Sequence, residues 1–234
     1  MNIVLLPGMD GTGCLFTPLL KQLNEYNCEV ITLPQSGSQN YSTLAKSVID
    51  RLPTEDYIVI AESFSGPIAA QLAQLELQNL KGIIFVATFL SSPNKYLLKL
   101  VKQLPIHLLN KLPTAKYFIK KLFLGVKSDK VLVLQFLDTV NRVPAKVLKD
   151  RIQTMQSLKF QAFDCNLPAV YILPDSDKLV PANKAYEFKS CFKNLVIKTI
   201  KGPHFIIQSE PEKSADIIID HIQSFSQSGV KYIS

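Results

Sequence analysis

One serine, two aspartates and one histidine each stand just past the end of an apolar run, and together they could break an acyl bond. Ser63 follows Tyr57-Ile-Val-Ile-Ala61, within Ala61-Glu62-Ser63-Phe64-Ser65-Gly66. Asp175 and Asp177 follow Ala169-Val-Tyr-Ile-Leu-Pro174, and His204 follows Leu195-Val-Ile-Lys-Thr-Ile200 within Lys201-Gly202-Pro203-His204. A serine hydroxyl is a weak nucleophile until a neighbouring imidazole takes its proton. A carboxylate on the other ring nitrogen fixes the tautomer and stabilises the imidazolium. The tetrahedral intermediate then needs fixed N–H donors for its oxyanion. Phe64, next after the serine, offers one. Met9 offers the second, in the loop Leu6-Pro-Gly-Met-Asp-Gly-Thr-Gly13, where glycines allow a sharp turn close to substrate.

Competing readings apply to several of these residues. Ser65 is a rival nucleophile, but Pro67 lies two positions on where a small flexible residue is wanted. Asp164 reads as a cap on the loop before its strand. His107, in a basic segment, and His221, in a terminal amphipathic helix, read as surface or packing residues. Gly8, Gly11 and Gly13 match neither phosphate-cradling glycine pattern, so no nucleotide is expected. Cys14, Cys28, Cys165 and Cys191 have no metal-ligand spacing and read as reduced thiols.

The elements that must position these groups alternate along the chain. Candidate strands are 2–6, 28–33, 56–61, 82–88, 168–174 and 195–200, and candidate helices are 15–25, 41–52, 65–77, 183–191 and 210–226. Strands that read Ile-Val-Leu-Leu or Ile-Val-Ile, without alternation, are buried on both faces. With helices between them this predicts an α/β fold: a mostly parallel sheet of about six strands flanked by helices. Right-handed crossovers place the strand C-termini, and so all three loops, on one edge. The elbow at Ser63 needs small neighbours, which Ala61, Ser65 and Gly66 supply.

The stretch from Phe89 to about Asp164 breaks this rhythm. It predicts an inserted helical lid over 90–164, cut by Pro105 and Pro113, with later helices at about 129–141 and 144–158. The core is then 1–89 and 165–234, with a polar tail from Ser224. Lys95, Lys99, Lys102, Lys111, Lys116, Lys120, Lys121 and Lys127 lie in the lid, with no acid before Asp129. One reading leaves them solvated. The other has them meet an acidic carrier protein, a phosphate-bearing thioester or an anionic membrane surface. No nucleic-acid motif is present. At 234 residues, 47% hydrophobic and 19% charged with a formal net charge of +7, the chain suits one well-buried core. No apolar run approaches the roughly 20 residues of a membrane span. The opening Asn2-Ile-Val-Leu-Leu6 reads as a strand rather than a signal peptide, so a cytoplasmic location is expected.

From Ile3 to about Phe225 the chain resembles the α/β-hydrolase superfamily, specifically its compact lidded esterases and thioesterases. The resemblance rests on Pro7-Gly-Met9, the Ser63 elbow, Asp177-Lys-Leu-Val-Pro181 and Gly202-Pro-His204, in the order serine, acid, histidine. It implies Asp177 rather than Asp175 as the acid, since family members often carry an acid four residues before that proline. It departs from the family in having Ala61 and Ser65 for the elbow glycines and Leu6-Pro7-Gly8 where His-Gly is common. The loop Leu33–Ser38 is only a faint echo of the family's loop, and the sheet starts at the family's third strand. The expected function is hydrolysis of a carboxylic ester or thioester, with an aliphatic acyl group, by a serine hydrolase using Ser63, Asp177 and His204 without metal or organic cofactor. The alternatives are an acyltransferase passing the acyl group to an alcohol or thiol, and a non-catalytic interaction protein on the same fold.

Overall fold

The computed structural model describes residues 1–94, 98, 117, 119–125 and 128–228. Six strands form one parallel sheet: β1 (Asn2–Leu6), β2 (Cys28–Val30), β3 (Tyr57–Glu62), β4 (Leu80–Val86), β5 (Ala169–Pro174) and β6 (Leu195–Ile200), in the order β2-β1-β3-β4-β5-β6. Every residue of β3 is buried. The unbroken apolar runs of the central strands therefore have helices to cover on both sides. The edge strands differ. β6 exposes Val196, Lys198 and Thr199, and Val196 is 42% exposed. β2 ends at Val30 rather than 33, because an edge strand has one partner and one covered face.

The helices are α1 (Thr17–Gln22), α2 (Tyr41–Ile49), α3 (Gly66–Gln74), α4 (Lys130–Arg142), α5 (Ala145–Ser157), α6 (Lys184–Lys189), α7 (Ile206–Ser209) and α8 (Pro211–Ser228). Successive strand residues point to opposite layers. Ile3, Leu5, Ile58 and Ile60 pack with Leu19 of α1 and Ile218 of α8. Val4, Leu6, Val59 and Ala61 pack with Leu44 of α2, Ile68 of α3 and Phe188 of α6. Each of these valine, leucine, isoleucine and phenylalanine side chains contributes about 1.5–3 kcal/mol on burial.

Some boundaries depart from the sequence expectation. The helix expected over 210–226 is α8, opened by Pro211, and a separate short helix that the sequence reading lacked, α7, precedes it. A proline lacks the N–H that a continuing helix would use. α8 also runs past Ser224 to Ser228. Between β4 and β5 lie a π-helical turn at Lys120–Leu124, α4 and α5. These overlap the expected lid, but most of its first half, including His107 and Lys95, Lys99, Lys102, Lys111, Lys116 and Lys127, lies outside the described residues. Among the described residues no helix is long and apolar enough to cross a membrane.

Candidate active site

Register brings the loops together. Leu6 pairs with Ala61 across β1 and β3, and Pro174 pairs with Ile200 across β5 and β6. The loops that follow therefore leave the sheet on the same edge. Ser63 opens a 3-10 turn, Ser63–Ser65, that runs into α3, and its φ is 49°. Non-glycine residues seldom adopt this left-handed conformation. It is the strained strand-to-helix turn that presents a hydroxyl above a sheet.

Several buried contacts hold the turn. Thr88 Oγ1 donates to the Ser63 carbonyl. Tyr171 Oη donates to the Thr88 carbonyl at 2.6 Å and accepts from the Thr88 N–H at 2.9 Å. Ser65 Oγ donates to the Pro7 carbonyl. Ser65 is fully buried and its proton is committed, so it is no rival to Ser63. A glycine in its place could not tie the elbow to the loop after β1. Gly66 packs so closely that a Cβ there would lie 1.9 Å from Thr88 Oγ1. A Gly66→Ala change must push Thr88 off the Ser63 carbonyl. We expect a loss of about 1–3 kcal/mol of stability, read by urea unfolding.

The serine, histidine and second aspartate meet. Ser63 Oγ lies 2.9 Å from His204 Nε2, and His204 Nδ1 lies 2.7 Å from Asp177 Oδ2. The His204 and Asp177 side chains are 4% and 3% exposed. With Nδ1–H donating to the carboxylate, Nε2 presents its lone pair to the serine hydroxyl. The other Asp177 oxygen accepts from the Leu179 and Val180 N–H groups at 2.8 and 3.0 Å, which locks the carboxylate. Asp175 is exposed and has another task. Its Oδ1 accepts from Ser176 Oγ at 2.7 Å and from the Gly202 N–H at 3.0 Å, tying its own loop to the histidine loop. The Ser176 hydroxyl and that N–H hold the Asp175 carboxyl below its usual range. Asp164 is exposed and precedes β5, away from the strand C-termini, and His221 Nδ1 donates to the Ile217 carbonyl on α8.

Burial opposes charge on His204. The Asp177 charge and hydrogen bond, with the Glu62 charge behind them, outweigh it and hold the imidazole above its ordinary value. Glu62 is a carboxylate that the sequence reading did not single out. It is 2% exposed and takes a 2.9 Å hydrogen bond from Gln208 Nε2. Burial, reinforced by Asp10, pushes its carboxyl up to about 7, against the Gln208 bond, the charge of His204 and the Gly8 N–H. The folded chain therefore holds this proton more tightly than the unfolded chain does. The Glu62 contribution to stability falls as pH rises from the unfolded value toward 7, by roughly 3 kcal/mol at most, and is flat above. A Glu62→Gln variant lacks this slope. Urea unfolding of both proteins at pH 5 and pH 8 should show the difference between them shifting in the variant's favour at the higher pH.

Ser63 and His204 open onto a cavity of about 120 Å³ walled by Leu15, Phe89, Phe123, Phe136, Leu148, Ile152 and Met155, with Gly8 and Met9 also lining it. Met9 lines the cavity that Ser63 and His204 open onto, and Phe64 directly follows the serine. Phe64 is in the first turn of its helix, where N–H groups have no intrahelical partner. Its ring turns away into the core against Tyr41, at 5.0 Å between centroids. Arg151, fully buried on α5, was also missed. Its signal was present: it falls in phase with Val147, Leu148, Ile152 and Met155, the apolar stripe of that helix.

A strained serine turn at the end of the third strand, with an acid and a histidine after the fifth and sixth, defines an α/β-hydrolase. Residues 34–203 match the family model described as serine aminopeptidase, S33, and the chain belongs to that family. The match includes Ser63 and Asp177 and stops just short of His204. A 92-residue stretch is 33% identical to the pimeloyl-[acyl-carrier protein] methyl ester esterase of Shewanella oneidensis, covering 37% of this chain and 35% of that protein. The chain thus spans about a third of that curated relative's length. The fold is similar to an esterase from Exiguobacterium antarcticum (TM-score 0.79, 14% identity, 95% of this chain and 92% of that one). It is also similar to the enol-lactonase of Burkholderia xenovorans (TM-score 0.78, 12% identity, 94% and 90%).

Proposed function

We propose that the chain is a serine hydrolase that cleaves an ester or thioester of an aliphatic acid through an acyl-enzyme. The observation that carries this reading is the continuous Ser63–His204–Asp177 contact, at 2.9 and 2.7 Å, opening onto an apolar cavity. His204 takes the Ser63 proton as Oγ attacks the carbonyl carbon, and Asp177 stabilises the imidazolium. The N–H groups of Met9 and Phe64 receive the oxyanion. His204 passes the proton to the leaving oxygen or sulfur. It then takes a proton from water, which attacks the acyl group and frees Ser63.

Support for an acyl chain as substrate comes from the cavity wall and from the methyl ester esterase relative. Support for an acidic, phosphate-bearing carrier comes from an outer groove of about 950 Å³ along the loops that hold Asp177 and His204. Lys21, Lys121, Lys178, Lys201 and Lys213 line it, with Asp129 and Glu210. The test is a chain-length series of acyl esters and thioesters, simple and carrier-borne, with and without an acceptor alcohol. We expect kcat/KM to rise about fourfold per buried methylene until the cavity is full. Free acid should be the product. A flat profile would contradict the acyl pocket, and mainly transferred product would make the chain an acyltransferase. Salt should slow only the carrier-borne substrates.

A further inference from the structure

Arg151 is 0% exposed, yet it belongs to a helix inserted between β4 and β5. All three nitrogens of its guanidinium donate to loops at the strand C-termini. Nη1 reaches the Met9 carbonyl at 2.7 Å, Nη2 the Pro34 carbonyl at 2.8 Å, and Nε the Gln39 Oε1 at 2.9 Å. Its central carbon also lies 5.8 Å from the centroid of the Phe64 ring. Gly11, at φ +71°, makes room for it, since a Cβ there would stand 2.4 Å from Nη1. Thr154, one turn on, donates to the Gln39 carbonyl at 3.0 Å and holds α5 to the same loop.

Burying a guanidinium costs several kcal/mol even when its donors are satisfied, and an apolar side chain would join α5 to the core at lower cost. The positions of its contacts explain why a fork of donors stands here instead. Two of them fall on Met9 and Phe64, the residues whose N–H groups receive the oxyanion in the proposed function, and the other two, on Pro34 and Gln39, anchor the guanidinium to the loop after β2. We propose that Arg151 is a positioning residue for the oxyanion site, anchoring the Met9 carbonyl, one peptide on from the Met9 N–H, and Phe64 by its ring, so that the backbone carrying both N–H groups is held in place. This rests on the acyl-transfer reading. It also gives α5 two linked tasks. Leu148, Ile152 and Met155 wall the acyl cavity, while Arg151 on the same helix sets the oxyanion donors. A lysine keeps the charge but cannot span three acceptors.

The test compares wild type, Arg151→Lys, Arg151→Met and Gln39→Met, each first checked for cooperative thermal unfolding. Turnover of an aliphatic ester and inhibition by an aliphatic trifluoromethyl ketone, whose serine adduct carries an oxyanion, are then measured. Both Arg151 variants should lose roughly 10- to 100-fold in kcat with KM within about threefold, and ketone affinity should fall by the same factor as kcat. Gln39→Met, which leaves two of the three hydrogen bonds, should lose about threefold or more in both. A folded Arg151→Met protein with wild-type kcat and ketone affinity would overturn the proposal. If neither Arg151 variant folds, wild-type values in Gln39→Met would do so. A wild-type protein that neither turns over the ester nor binds the ketone would instead sink the acyl-transfer reading itself.

Discussion

Ser63→Ala should lower kcat/KM for an aliphatic acyl ester by about 10⁵- to 10⁶-fold, with folding intact. The size follows from how the group works. Removing the hydroxyl removes the bond-forming atom, and His204, 2.9 Å away, has nothing left to deprotonate. The residual rate is water attack helped by whatever donors and binding remain. Alanine fits the turn, because the Ser63 contacts that hold the elbow use its backbone carbonyl rather than its hydroxyl. Thermal unfolding near the wild-type temperature, together with the lost rate, separates lost chemistry from lost structure. Ser65→Ala should behave in the opposite way. It removes the bond to the Pro7 carbonyl and so costs stability, while Ser63 labelling survives in the folded fraction.

The second large effect is expected at the acid. Asp177→Asn should cost about 10⁴-fold in kcat with little change in KM. The Leu179 and Val180 N–H groups can still hold one side-chain oxygen, so geometry is kept. An amide N–H facing Nδ1, however, forces the proton onto Nε2, where the lone pair is needed. The neighbouring Asp175→Asn is the control. Its Oδ1 acceptor for the Gly202 N–H survives the change, so kcat should stay within about threefold. If the two variants exchanged behaviour, the assignment of the acid would be wrong.

Much of this site could be read from residue order. Strand ends are visible as apolar runs that stop abruptly, and a parallel sheet puts every such end on one edge. That places Ser63, Asp177 and His204 together without any knowledge of distance. The choice between Asp175 and Asp177 was not open to that logic, since both follow β5. It turns on which carboxylate two backbone N–H groups lock toward Nδ1 and which one reaches Gly202. The edge strand β2 reads too long because burial on both faces cannot be told from burial on one in a short run, while β6 at the other edge has its expected bounds. The supports were hidden for a different reason. Thr88, Gln208 and Arg151 act through contacts between positions far apart in the chain, such as Arg151 with Met9 and Gln208 with Glu62. Of these, only Arg151 breaks a pattern, as a charge within an apolar helical stripe.

The central claim is that Ser63 forms the covalent intermediate. The most direct test is to treat the full chain with a fluorophosphonate and locate the adduct by peptide mass spectrometry. The account predicts one adduct, on Ser63, with none in Ser63→Ala and greatly slowed labelling in His204→Ala. An unlabelled wild-type protein, or an adduct carried by Ser65 or any other residue, would contradict it.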